Sequence, residues 1–140
     1  GIGTSQPFRF LTFEGKAPID LKRELDALNL GGLSFQVKTI QNDAGKKIEG
    51  VYIVLNDWQS WKPTELAFYM MKLSAKWETP SPFTQAKESE ITLFNKHVGS
   101  TAWWNHLYQS GAICEPSKFL SKWEMDIKSF REKISKYYLY

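Results

Sequence analysis

Residues Leu33 to Asn56 read LSFQVKTIQNDAGKKIEGVYIVLN, and their pattern decides the fold class. Leu33, Phe35 and Val37 alternate with Ser34, Gln36 and Lys38, which is the period of a half-buried strand. Asn42-Asp43-Ala44-Gly45 is turn chemistry. Gly50 to Asn56 then reads as a second strand. Its apolar residues occupy both parities, with Val51, Ile53 and Leu55 on one face and Tyr52 and Val54 on the other, so a central strand covered on both faces is predicted.

Outward toward the N-terminus, Leu21, Leu25 and Leu28 recur at i, i+4 and i+7, one face of a helix. Asp20 is its expected N-cap, just after Pro18, and Gly31-Gly32 is its expected left-handed stop. Phe8-Arg9-Phe10 alternates and predicts a short strand. Outward toward the C-terminus the period changes to helical. Pro63-Thr64-Glu65 opens a helix with the stripe Leu66, Met70, Leu73 and Trp77, and Thr79-Pro80-Ser81-Pro82 breaks it. A helix over Glu88 to His97 carries Ile91, Phe94 and Val98. Ser100 caps a short helix with Trp103, Trp104 and Leu107, ended by Gly111. Pro116-Ser117 starts a last helix whose apolar residues Phe119, Trp123, Ile127, Phe130 and Ile134 predict one long buried stripe. Strands with an early helix, then mainly helices, argue for an α+β fold in a single domain over residues 1–140.

Composition narrows the function classes. The chain has 140 residues, 42% of them hydrophobic, 24% charged and 15% aromatic. That is enough apolar surface to fold without a metal or disulfide. No stretch approaches the roughly 20 apolar residues of a membrane span, and no basic-then-apolar leader opens the sequence. The net charge of +3, with both signs interspersed, is weak for a nucleic-acid binder but compatible with a weak preference for anionic partners, whether nucleic acid, a membrane surface or the anionic cell wall of bacteria. The single Cys114 forbids an internal disulfide and reads as a structural thiol. His97 and His106 stand nine apart with no cysteine near, so no metal site is expected. No phosphate-binding loop, dinucleotide fingerprint or zinc-protease motif occurs, and no cofactor is predicted.

Two groups of residues could carry chemistry. Glu14, Asp20, Glu49 and Asp57 lie near element ends and could supply a carboxylate pair for glycoside hydrolysis, although fifteen acids always permit such a pairing. Asp57-Trp58-Gln59-Ser60-Trp61-Lys62-Pro63 is more pointed. It joins a strand end to a helix start, where ligands often bind. A flat indole packs on the C–H face of a pyranose, and an adjacent acid accepts hydroxyl hydrogen bonds. Trp58 is a candidate for stacking. Trp61 either joins it or folds back as a hydrophobic staple. Trp103 and Trp104 are neighbours on a helix, so one is expected in the core and Trp104 is a candidate for surface exposure.

In order and spacing these landmarks resemble the C-terminal domain of NamZ-type exo-β-N-acetylmuramidases, over nearly all 140 residues. The family's opening GRGT-xx-PF matches Gly1-Ile2-Gly3-Thr4 and Pro7-Phe8. Its Gly-Ala-Pro-Trp-Ile-Asp stretch is echoed by Gly15-Lys16-Ala17-Pro18-Ile19-Asp20. Its strand ending in Asp, followed by an aromatic and Pro, matches Gly50-Val51 through Asp57, Trp61 and Pro63. Its closing pattern is matched by Trp123, Phe130 and Lys136-Tyr137-Tyr138-Leu139-Tyr140. Two positions depart: Ile2 replaces an arginine and Ile19 a tryptophan.

The resemblance implies a bacterial, extracytoplasmic, wall-associated setting with peptidoglycan glycan strands, N-acetylmuramic acid among them, as substrate or ligand. It implies a partner as well, because family enzymes hold most of their catalytic machinery in a Rossmann-like domain N-terminal to the part matched here. The expected role is an auxiliary or wall-binding domain of a muramidase or lysin, with Asp57, Trp58, Trp61, Thr4 and Trp104 as carbohydrate-binding candidates and no catalytic residue assigned. The rival readings are a small glycosidase using an internal carboxylate pair and a scaffold packing on a catalytic partner.

Overall fold

A computed structural model of the chain describes residues 4–138. Gly1-Ile2-Gly3 and Leu139-Tyr140, which carry the two ends of the family resemblance, lie outside the described residues. The fold is α+β, as the sequence predicts. It divides into two compact units, one up to Pro63 and one from Thr64 onward.

The first unit is a three-stranded antiparallel sheet with one helix. Strands β1 (Phe10–Leu11), β2 (Leu33–Gln41) and β3 (Lys47–Leu55) stand in the order β1-β3-β2. β3 is therefore central, as its two-faced apolar pattern requires, and Val51 is fully buried. β2 and β3 pair in register from Leu33 opposite Leu55 to Gln41 opposite Lys47. The register is pinned at the turn, where the Asn42 side-chain oxygen accepts from the backbone N–H groups of Ala44 at 3.1 Å and Lys46 at 2.8 Å. Gly50 has a packing reason to lack a side chain: an added Cβ would stand 2.6 Å from the Phe10 ring. Helix α1 (Pro18–Asp26) packs against β2 and β3 and buries Leu21 and Leu25.

Three local expectations are corrected in this unit. β1 begins at Phe10, because Phe8 has φ 63° in a turn and is 86% exposed. Pro18 is the first helical residue and Ala17 the cap, which moves Asp20 inside the first turn. There its charge still suits the helix dipole. Finally, α1 stops at Asp26, five residues before Gly31-Gly32.

The second unit is helical: α2 (Pro63–Trp77), α3 (Pro82–Gln85), α4 (Glu88–Val98), α5 (Thr101–Ser110) and α6 (Pro116–Ile134). Ser100 caps α5 as the sequence predicts, and Lys87 and Gly99, which the sequence reading does not single out, bound α4. The Lys87 N–H donates to Glu90 at 2.7 Å to open α4, and left-handed Gly99 closes it. The Trp103 N–H donates to the Ser100 hydroxyl at 3.1 Å to open α5. The core gathers Phe68, Ala75, Phe83, Trp103, Trp104, Leu107 and Cys114. Rings meet edge to face throughout it, Phe94 against Trp104 at 4.9 Å and Phe68 against Trp123 at 4.7 Å. Cys114 is wholly buried and its thiol pKa is pushed up by desolvation, partly opposed by Lys72.

Two readings of this unit are corrected. Both Trp103 and Trp104 are buried. α5 is covered on two sides, by α3 and α4, while Trp103 packs on Phe68 and Phe119, so adjacent positions both face protein. The long stripe of α6 is interrupted rather than buried throughout, although Ile134 at its end is half-buried. Phe119, Leu120 and Trp123 pack on the core, whereas Ile127 is 51% and Phe130 59% exposed.

Candidate functional site

The loop after β3 is built on a pair of glycines. The N–H groups of Asn56 and Asp57 both donate to the Gly32 carbonyl, at 2.8 and 3.2 Å. Gly32 has φ +72°, and an added Cβ would stand 2.2 Å from the Asp57 carbonyl oxygen and 3.0 Å from the Trp61 nitrogen. A Cβ on Gly31 would stand 2.9 Å from the Ser60 carbonyl oxygen. Residues 57–61 therefore lie directly on backbone that only glycine provides. The glycine pair read from sequence as a helix stop is instead the seat of this loop.

Asp57 organises the turn from inside. Its carboxylate accepts from the Gln59 N–H at 2.9 Å and from the Ser60 hydroxyl. The Ser60 hydroxyl bond, more than the backbone N–H bonds, holds the Asp57 pKa below its ordinary value of 3.8. At neutral pH Asp57 is a hydrogen-bond acceptor carrying a full charge. It is not a proton donor, which removes it from any general-acid role.

The turn presents Trp58 outward. Its ring meets Trp61 edge to face at 5.5 Å, and three quarters of the residue remains in solvent, 75% by area. Trp61 is half-buried, and its indole N–H is shielded from solvent with no hydrogen-bond partner. The site thus has one free indole, one supporting indole and one carboxylate, all held by short local bonds.

The remaining candidates are elsewhere. Thr4 bridges to Asn42, at the turn between β2 and β3, and its hydroxyl accepts from the Gln6 N–H at 3.1 Å. β3 is nine residues long, so Thr4 and Asp57 stand at opposite ends of the sheet, on the order of 30 Å apart. Trp104 is 6% exposed, its ring between those of Phe83 and Phe94. It offers no surface to a ligand, and its candidacy falls with the expectation of exposure.

The carboxylates Glu14, Asp20 and Glu49 are all exposed, and no charged side chain among the described residues is buried. His106 accepts from the Glu115 N–H at 3.0 Å, and its ring lies tilted against those of Trp103 and Phe119, a structural tie. Among the described residues no cluster of three or more His, Cys, Asp or Glu is placed to hold a metal. Gly31, Gly32 and Ser60 are the site-forming residues that sequence reasoning missed. Adjacent glycines directly before a strand were the visible signal.

Curated proteins include no match to the chain. Among solved structures it is similar to a DUF1343 family protein from Bacteroides fragilis NCTC 9343, with TM-score 0.80 and 23% sequence identity. The likeness covers 100% of this chain and 37% of that one, so the chain spans little more than a third of its structural neighbour. The sequence model described as the C-terminal part of the exo-beta-N-acetylmuramidase NamZ matches residues 1–140. The chain therefore belongs to the family of NamZ C-terminal domains.

Proposed function

We propose that this domain is the substrate-engaging auxiliary part of a peptidoglycan-degrading protein, and that it holds glycan strands at the Asp57–Trp61 loop. The family supplies the setting, a peptidoglycan-related hydrolase with a catalytic portion N-terminal to the part matched here. On this reading the protein works outside the cytoplasm, at the bacterial wall.

The observation that carries the site is Trp58. An indole 75% exposed on a loop fixed by glycine backbone and an internal carboxylate loses little freedom when a sugar stacks on it. Asp57, ionised and beside it, accepts from sugar hydroxyls. One stacked sugar is worth about 1–2 kcal/mol, by analogy with aromatic pairs. Even with hydrogen bonds to Asp57 added, a single site is therefore weak, no tighter than roughly millimolar. The repeating wall raises the apparent affinity through avidity.

The chain alone is not expected to cleave the glycan. A retaining or inverting glycosidase needs one carboxyl kept protonated near neutral pH, and Asp57 is shifted the other way.

The test is co-sedimentation with purified bacterial walls. Trp58→Ala should lose most of the bound fraction while its thermal melt stays within a degree or two of the parent. Unchanged sedimentation of Trp58→Ala would refute the site. Failure of the parent itself to sediment would favour the scaffold role.

A further inference from the structure

The last helix carries an apolar seam that packs on the core at its start, is exposed at Ile127 and Phe130, and is half-buried again at Ile134. Phe119, Trp123, Ile127, Phe130 and Ile134 fall within a sector of about 80° at the helical period of 3.6 residues per turn. Phe119 and Trp123 pack on the core of the second unit. Ile127 and Phe130 continue the same seam yet are 51% and 59% exposed, and Tyr137 and Tyr138 beyond them are 70% and 64% exposed. A contiguous apolar patch of this kind marks a contact surface.

The charge distribution selects the partner. From Ile127 to Tyr140 the chain carries Lys128, Arg131, Lys133 and Lys136 against Glu132 alone, a net +3. That equals the formal net charge of the whole protein. The other 126 residues hold fourteen cations and fourteen carboxylates. All the excess positive charge therefore sits on the segment with the bare seam. On the helical projection Arg131 and Lys133 flank the seam on its two sides, and Glu132 lies opposite it.

Three kinds of occupant differ in how well they fit. A second copy would bring two +3 segments together, and a seam of a few side chains falls far short of the roughly 800 Å² per partner of a stable interface. An anionic wall polymer would answer the charge but leave Ile127 and Phe130 without apolar cover. An anionic lipid surface answers both. The apolar side chains enter the headgroup–acyl boundary, the tyrosines sit at its edge, and the Lys and Arg stems reach up to the headgroups.

We propose that the segment from Ile127 to Tyr138 rests on anionic membrane surfaces as an interfacial helix. It lies on the bilayer and does not cross it: no helix among the described residues is long and apolar enough to span. Each Lys or Arg near an anionic surface strengthens binding about fivefold, so Arg131 and Lys133, which flank the seam, together imply more than a tenfold preference for anionic over neutral lipid. This inference is independent of the glycan loop.

The test uses the full 140-residue chain and sedimentable vesicles, either phosphatidylcholine alone or phosphatidylcholine mixed with phosphatidylglycerol. The parent should bind the mixed vesicles at least tenfold more tightly. Phe130→Ser, and separately Arg131→Gln with Lys133→Gln, should each weaken that binding at least fivefold. All three positions are exposed, so circular dichroism should show both variants folded. Absence of binding to the mixed vesicles overturns the proposal. So does binding that Phe130→Ser leaves intact, which would mean charge alone. A concentration-dependent dimer that Phe130→Ser abolishes would assign the seam to a second copy and overturn it as well.

Discussion

Replacing Gly32 by alanine should damage the first unit far more than the same change at Gly45. Both residues have positive φ, +72° and +76°, so alanine bears the left-handed penalty at each, about 1–2 kcal/mol. Both changes also stiffen the unfolded chain, which returns about 0.4–1 kcal/mol in each case. The two sites differ in space. Nothing stands within 4 Å of a Cβ at Gly45, whereas a Cβ at Gly32 meets the Asp57 carbonyl oxygen at 2.2 Å. That atom is backbone and cannot rotate away. Either the 57–61 loop moves or β2 shifts beneath it, and overpacking of this kind costs about 1–3 kcal/mol. Gly32→Ala should therefore exceed Gly45→Ala by about 1–3 kcal/mol, with the unfolded-state terms cancelling. Equilibrium urea unfolding at matched slope measures the difference. Equal losses, within about 0.5 kcal/mol of each other, would show that the loop does not rest on Gly32 and would remove the rigid seat from beneath Trp58.

Further expectations follow from the same geometry. Ser60→Ala removes the main bond holding the Asp57 pKa down, so the Asp57 carboxyl should titrate closer to 3.8 by NMR; an unchanged titration would refute the bond. Because the folded pKa of Asp57 lies below its ordinary value, its contribution to stability is complete above about pH 4 and fades as pH falls through the folded value. Ser60→Ala should therefore narrow the difference in stability between pH 5 and pH 2. Phe130→Ala should change stability by less than about 1 kcal/mol, since the side chain is mostly in solvent, while Trp103→Ala, fully buried, should cost about 3–5 kcal/mol; similar losses at both sites would mean that α6 packs along its whole length. Cys114 should resist a thiol reagent in the folded protein and react on unfolding, because burial both shields it and disfavours the thiolate. The isolated chain should release neither reducing sugar nor N-acetylmuramic acid from walls, and turnover that survives repurification would contradict the auxiliary role.

Local signals were legible where the bonding partner is close in sequence. The alternation of Leu33 to Lys38, the Asn42 turn and the two-faced pattern of β3 specify the antiparallel sheet with little help from distant residues. Ser100 and Gly111 mark the ends of α5 for the same reason. Misreadings arose where a distant segment decided the outcome. Gly31-Gly32 serves a loop some twenty-five residues later in the chain, which a helix-stop rule cannot see. Trp104 looked outward-facing because neighbours on a helix diverge, but α5 is covered on more than one side. Amphipathicity fixes which face of α6 is apolar. It does not fix where along the helix a partner lies: Phe119 and Trp123 pack on the core and Ile134 is half-buried, while Ile127 and Phe130 between them are exposed. At the site, Asp57, Trp58 and Trp61 were legible as a cluster because they share one loop. Thr4 was grouped with them through family likeness, and the sheet places it at the far end.

The central claim is that glycan binds at the Trp58 loop, and amide and indole NMR of the 140-residue chain reads it most directly. Six tryptophans give six indole N–H signals, each assignable by substitution. Titration with soluble peptidoglycan glycan fragments should shift the Trp58 indole and the amides of residues 57–61, approach saturation only at millimolar concentrations or above, and leave the buried Trp103 and Trp104 signals in place. Trp58→Ala should abolish the shifts with the rest of the spectrum intact. No shift at saturating fragment, or shifts gathered on another surface while residues 57–61 stay still, would contradict the account.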